Sequence, residues 1–427
     1  MNRVKEMKRR EFLTASAGAV GAACIGSPLA SGCGSSSGSN VGDSTMSVTM
    51  WEFSWLVRRQ GAEAEYADWD KVLDELADRG YDTIRIDAFP HLVADDRETF
   101  TIRPQKPLFM WGNHEPVTVQ PREAAVEFIS KVRARGMGVG LSTWFNDDEL
   151  HLAEAVKTPA DYARIWRATL DLLGDANLLD AVRWVDLCNE FPIFRWARGA
   201  YPLIYPDRDP NDPLAIVAPW TDEELARIQT YLDDGIGPLR DAYPELKYTF
   251  SLDAYGAESS QKLDTSAFDL AEPHIWLSTD LGFASSSGQL ALLLAAEDPE
   301  PDLSLLQAHA QQAPEVYFGE REQWLGLLEG MLDSWADWAA ERELPLVTSE
   351  AWGPINYDDT DSIDGVVDTV PGTSEWDWVK DIGAEGVRMA VERGWAGICT
   401  SNFAQPHFEG MWSDVQWHQD LNSQVKG

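Results

Sequence analysis

Residues 182–192 read Val182-Arg183-Trp184-Val185-Asp186-Leu187-Cys188-Asn189-Glu190-Phe191-Pro192. Valine, tryptophan and leucine give this run strand character, and Pro192 ends it because proline cannot donate to a sheet ladder. Apolar residues dominate up to Cys188, and then a polar pair, Asn189-Glu190, stands at the carboxyl end. The same layout recurs along the chain. Short β-rich runs at 48–53, 83–88, 138–143, 182–188, 247–252, 270–275, 346–349 and 397–400 each lead into a polar loop. Helical periodicity fills the intervals at 68–79, 121–135, 161–173, 222–241, 320–341 and 376–393. In the first of these Trp69, Val72, Leu73 and Leu76 share one face. The second opens on Pro121 and closes at Gly136, the usual asymmetry of helix ends. The crossover between the fifth and sixth runs is short, around 263–268.

Strands alternating with helices predict a parallel sheet, and eight such units predict a closed (β/α)8 TIM barrel, an α/β fold. The long segments 89–120, 191–220, 276–319 and 352–375 are expected as loops at the carboxyl face of the strands. A doubly wound sheet would place a glycine-rich phosphate turn after the first strand. Trp51-Glu52-Phe53-Ser54-Trp55 stands there instead, which argues against a dinucleotide site.

The 427 residues include 71 acidic and 34 basic side chains, for a formal charge of −37. A field of that sign repels phosphate backbones, so no nucleic-acid partner is expected. A hydrophobic content of 44% excludes wholesale disorder. Lys8, Arg9 and Arg10 precede a weakly apolar, Ala- and Gly-rich run to Ile25, which reads as a twin-arginine export signal over residues 1–32. Leu29-Ala30-Ser31-Gly32-Cys33 resembles a lipobox, with Cys33 as the lipidated residue. Residues 33–45 then form a Ser/Gly tether, and the barrel occupies 46–427. The expected location is extracytoplasmic, either anchored to the outer face of the cytoplasmic membrane or secreted. Of four cysteines only Cys188 and Cys399 remain in the body, so neither a disulfide framework nor a zinc spacing is present.

A barrel of this kind places its chemistry at the carboxyl ends of its strands. Two carboxylates stand out there: Glu190 after strand four and Glu350 after strand seven. Such positions aim two side chains at one point from opposite sides, as a retaining glycosidase requires, with nucleophile and acid/base about 5 Å apart. Arg85 on strand two is placed to keep Glu350 ionised. Asn189 is placed to bond a sugar 2-hydroxyl, and His274 on strand six to tune a carboxylate. Trp144, Trp276 and Trp352 offer faces for sugar stacking, while Asn146, Asp253 and Tyr255 are cleft candidates by position.

These motifs resemble clan A glycoside hydrolases, most closely the family 5, cellulase-like branch. The resemblance rests on Asn189-Glu190 ending strand four, Glu350 ending strand seven, Arg85 in Ile84-Arg85-Ile86, and His274 followed two residues later by Trp276. It implies Glu190 as acid/base and Glu350 as nucleophile, an oligo- or polysaccharide substrate with β linkages, and no metal or organic cofactor; no oligomeric state follows from it. After strand eight, Phe403 or Trp412 is implied as a sugar platform. The chain departs from the pattern in three places. Phe191 separates Asn189-Glu190 from Pro192, strand three ends in Trp144-Phe145-Asn146 without a histidine, and strand eight ends in Asn402-Phe403 where tryptophan is usual. Two other readings fit the same sequence: a cellulase-like barrel that binds sugar without turnover, and a two-lobed solute-capturing lipoprotein of a transporter.

Only ten of the 34 basic residues are lysine. A surface of carboxylates with little lysine suits a high-salt habitat, where hydrated cations screen their mutual repulsion. The melting temperature is therefore expected to rise between low salt and molar KCl; a flat or falling profile would exclude that habitat as the cause.

Overall fold

The computed structural model describes residues 45–61, 64–105, 110–210, 218–295, 304–353, 355–356 and 376–427. The export signal, Cys33 and all of the tether except residue 45 lie outside them, as does most of the predicted loop 352–375.

The strands are β1 Met46–Glu52, β2 Thr83–Asp87, β3 Phe100–Ile102, β4 Val117–Val119, β5 Gly138–Ser142, β6 Val182–Asp186, β7 Tyr248–Thr249, β8 Ile275–Trp276, β9 Val347–Thr348, β10 Ala351–Trp352 and β11 Gly397–Cys399. Seven of them form one parallel sheet in the order β7-β6-β5-β2-β1-β11-β9. The gap between β7 and β9 is spanned by residues 271–276. Leu252 and His274 bond across it, with Leu252 N–H to Glu272 O at 2.9 Å and His274 N–H to Leu252 O at 3.0 Å. Val347 N–H reaches Ala271 O at 2.9 Å, and β8 pairs with β10. The sheet thus curls into the predicted (β/α)8 barrel. Its sixth strand is narrower than the sequence suggested: Pro273 lacks a donor, and regular pairing is confined to β8. One curled sheet replaces the two hinged lobes that a solute-capturing protein would need.

Six predicted helices are present with boundaries moved by one or two residues: α1 Trp69–Asp78, α2 Pro121–Ala134, α3 Pro159–Asp175, α4 Asp222–Ala242, α5 Arg321–Ala340 and α6 Asp377–Glu392. Side-chain caps set three of the starts. Asp68 accepts from Lys71 N–H, while Thr158 with Asp161 and Thr221 with Glu224 form capping boxes. A seventh helix, α7 Val415–Lys426, packs on α6 and was not anticipated. The predicted loop 276–319 also contains helices at Leu281–Ser286, Gln289–Ala295 and Ser304–Gly319, and β3 and β4 form an antiparallel hairpin inside 89–120. The short crossover at 263–268 forms no helix.

Inside the barrel, Val48, Trp184, Leu270 and Val347 form an apolar floor. Register explains how an indole fits there. Arg85 pairs with Gly140 and Gly140 with Trp184, so these residues point inward together. A Cβ on Gly140 would lie 2.3 Å from the Trp184 ring, so only glycine leaves room for it. Above this floor the interior turns polar.

Candidate active site

Arg85 is fully buried at the centre of the polar layer. Its Nη1 donates to Glu350 Oε1 at 2.9 Å, and its Nη2 reaches Asp186 Oδ2 at 2.7 Å and Asn189 Oδ1 at 2.8 Å. Its Nε lies 2.9 Å from Glu272 Oε1. Burial alone would lower the guanidinium pKa, but Glu272, Asp186 and Glu350 outweigh that and raise it. Each carboxylate near the mouth has one oxygen committed in this way. Glu350 gives Oε1 to Arg85, and Glu190 accepts from the Trp196 indole at 3.0 Å on Oε2. Their other oxygens turn to one atom: His274 Nδ1 lies 3.1 Å from Glu190 Oε1 and 3.5 Å from Glu350 Oε2. A ligating oxygen of each carboxylate and the imidazole nitrogen all lie within 4.8 Å of one another.

Glu190 and Glu350 differ in environment. Burial raises Glu350 above the usual carboxylate range, and the charge of Glu190 adds to this, with His274 and Arg85 only partly offsetting it. Burial pushes Glu190 the same way, but the hydrogen bond and charge of His274, helped by Trp196 and Arg85, leave it lowered. For His274 burial acts downward, yet Glu350 and Glu190 raise it above the ordinary imidazole range. The two carboxylates that face it therefore draw His274 toward its protonated form.

The structure brings together Arg85, Asn189, Glu190, His274 and Glu350. Asn189 is buried, and its Nδ2 has no partner among the described residues; neither do His274 Nε2 and Trp276 Nε1. Unpaired buried groups cost roughly 1–3 kcal/mol each, so a polyhydroxylated ligand is a fitting complement. Trp276 is half-buried beside Trp111, and Tyr255 is exposed within electrostatic reach of Glu190. Other expected residues are placed elsewhere. Trp144 lies under Arg85, whose guanidinium sits 4.5 Å from its ring centroid, so that face is taken. Asn146 is buried and accepts from Gln105 at 2.8 Å. Trp352 packs outward on α6, its ring 2.3 Å from where a Cβ on Gly386 would be, and is no platform. Trp412 lies against Arg79 and Trp51 outside the barrel, and Phe403 is buried against Trp111.

Sequence reasoning missed the buried acids Asp87, Glu272 and Glu52, and it placed Asp253 in the cleft by position only. Burial raises Asp87, Glu272 and Asp253 to about 7 and Glu52 to about 8. A period of two was the available signal: Asp87 follows Arg85 by two, and Glu272 precedes His274 by two, so each shares its neighbour's face. Trp196 and Ser251 also escaped notice; Ser251 Oγ accepts the Glu190 N–H at 2.8 Å. Two clusters among the described residues bring three possible metal ligands together. Glu190, His274 and Glu350 form one. Asp147, His151 and Glu154 form the other, which is open to solvent and contacted by Arg103 and Arg198.

A (β/α)8 barrel with paired carboxylates at the carboxyl ends of strands four and seven is the architecture of glycoside-processing enzymes and their sugar-binding relatives. A family model described as sugar-binding cellulase-like matches residues 48–426, and the chain belongs to that family. A candidate glycoside hydrolase from Parabacteroides distasonis ATCC 8503 is 33% identical, with a TM-score of 0.76 over 90% of this chain and 94% of that one. A GH5-4 broad-specificity endoglucanase from an uncultured bacterium is 10% identical, with a TM-score of 0.48 over 90% of this chain and 94% of its own, and adds no functional argument. No curated protein matches the sequence.

Glu52 offers a direct check on the buried acids. Its Oε2 accepts from Gln405 at 2.7 Å, and its Oε1 meets the Ser54 hydroxyl. With its native pKa near 8 against a usual 4.5, the folded state holds this proton longer than the unfolded chain. Stability thus falls as pH rises through that window, by at most about 1.4 kcal/mol per pH unit. Glu52→Gln removes that slope, keeping an oxygen for Gln405 and losing the acceptor of the Ser54 N–H, a cost that is the same at every pH. Its stability relative to the parent, from urea unfolding, is expected to grow steadily from pH 5 to 8; a constant difference would place Glu52 ionised in the fold.

Proposed function

We propose that the protein is a retaining glycoside hydrolase acting on a β-linked glycan. The observation behind this reading is the opposed pair Glu190 and Glu350, close together and separately anchored, one by Trp196 and one by Arg85. A short gap suits direct attack by one carboxylate, whereas inversion needs roughly 6.5–9.5 Å to admit a water. The β preference rests on kinship with the cellulase-like branch.

In this reading Glu350 attacks the anomeric carbon while Glu190 protonates the departing oxygen. Glu190 then takes a proton from water as the glycosyl ester is hydrolysed. The arrangement with charged His274 and two carboxylates has the same net charge as neutral His274 with protonated Glu190 and ionised Glu350. One proton moving along the 3.1 Å contact from Nδ1 to Oε1 interconverts them. His274 thereby supplies the acid's proton, and Arg85 works with the His274 charge against the burial that raises Glu350. Asn189 Nδ2 is placed to donate to a sugar hydroxyl as charge develops on the ring.

Glu350→Gln and Glu190→Gln are each expected to lower kcat by at least about a hundredfold with an unchanged circular dichroism spectrum. A 2-deoxy-2-fluoroglycoside is expected to add its mass at Glu350. Sugar binding without turnover or labelling, across a panel of β-linked glycans, would favour the non-catalytic reading that the family description also accommodates. Full activity in either variant would sink both role assignments.

We also propose that the chain is exported and anchored through Cys33, on the support of the twin-arginine stretch, the lipobox-like Leu29–Cys33 and the tether. Metabolic labelling with a fatty acid is expected in the parent and lost in Cys33→Ser, which should leave the membrane fraction. Equal labelling of both would exclude Cys33.

A further inference from the structure

The sheet ladder fails where it is most needed. β9 ends at Thr348, β10 begins at Ala351, and pairing of β9 with β11 stops at Thr348 with Ile398. Glu350 therefore sits in a break between strands, and ladder bonds to strand eight do not hold it. Its peptide unit is nevertheless fixed on both sides. The Glu350 carbonyl accepts from Ile275 N–H at 3.1 Å and from Thr348 Oγ1 at 3.1 Å. The other half of the same peptide, Ala351 N–H, donates to Asn402 Oδ1 at 2.7 Å, and Asn402 N–H returns a bond to Ala351 O at 2.9 Å. An Asn side chain thus continues the ladder where the strand-eight backbone has left it.

We infer that Asn402 is a positioning residue for Glu350, an inference that rests on the catalytic reading above. Pinning the 350–351 peptide plane fixes the backbone from which the Glu350 side chain leaves, and so its approach to the reacting carbon. Asn402 is itself held firmly. It is buried, and its carbonyl accepts from Gln405 Nε2 at 3.0 Å. Gln405 in turn bonds Glu52 Oε2 at 2.7 Å and accepts from Tyr66 at 3.1 Å. The clamp therefore joins the end of strand one, the loop after strand eight and the break in strand seven. The Ala351 donor also settles the amide orientation, since only the oxygen accepts it. Nδ2 then points away without a partner among the described residues. An asparagine where the resembled family has tryptophan thus acquires a definite task.

The test compares the full chain with Asn402→Ala and Asn402→Asp. Hydrogen exchange at the Ala351 amide, read without substrate, is expected to quicken by at least about tenfold in the Ala variant and to stay slow in the Asp variant, which keeps the acceptor. On a cleaved glycan, the Ala variant is expected to lose about ten- to a hundredfold in kcat with KM within about twofold, as misplacement of a nucleophile predicts. The Asp variant is expected to recover most of kcat, with the acidic limb of its pH profile moved upward by the new charge near Glu350. Unchanged exchange at Ala351 in the Ala variant overturns the clamp. A loss confined to KM, or an Asp variant no better than Ala at any pH, overturns the positioning role. A parent chain that cleaves no glycan refutes the catalytic reading separately, because the exchange comparison decides the clamp without turnover.

Discussion

One buried guanidinium organises the interior of this barrel. Desolvating an unpaired cation would cost several kcal/mol or more, and Arg85 is fully enclosed. The cost is met by three carboxylates from three strands, Asp186, Glu272 and Glu350, with Asn189, Ser142 and Ser251 closing the shell. Removing Arg85 would leave those anions facing one another in a low dielectric, so the polar layer stands or falls with it. The same contact that neutralises Arg85 also aims Glu350 at the mouth. Stability of the centre and the orientation of Glu350 rest on one interaction.

The polar layer at the barrel centre holds more acids than Arg85 and His274 can balance. Glu52, Asp87, Asp253 and Glu272 all have raised pKa values because burial penalises their charged forms. His274 is set between Glu190 and Glu350, and its second nitrogen has no partner among the described residues. The backbone adds the other constraint: the chain breaks its ladder around Glu350 and repairs it with Asn402, which frees the carboxylate from strand geometry without freeing it to wander.

The barrel was legible because its signals are local. Strand runs followed by amphipathic helices repeat through the chain, and caps such as Thr158 with Asp161 mark helix starts within a few residues. Glu190, Glu350, Arg85 and His274 were legible because a strand's carboxyl end is a place the sequence itself marks. Asp186 and Glu272 were hidden among 71 acidic residues, and for Glu272 the period of two from His274 was the one local sign of an inward face. Trp276 and Trp352 show the same limit. Each follows a strand end, yet Trp276 stands beside Trp111 while Trp352 turns outward onto α6, where Gly386 leaves room for it.

The acidity divides along the same line. The sequence by itself determined the repeat, the sign of the surface field and the strand ends that bear Glu190 and Glu350, because periodicity, charge count and order are properties of neighbours along the chain. Only the tertiary structure decided which acids are buried, which proton the His274 nitrogen shares, which indoles fill the core and how Asn402 reaches Ala351. Those outcomes are sums over groups far apart in sequence, and burial and electrostatic balance exist only once the barrel has brought them together.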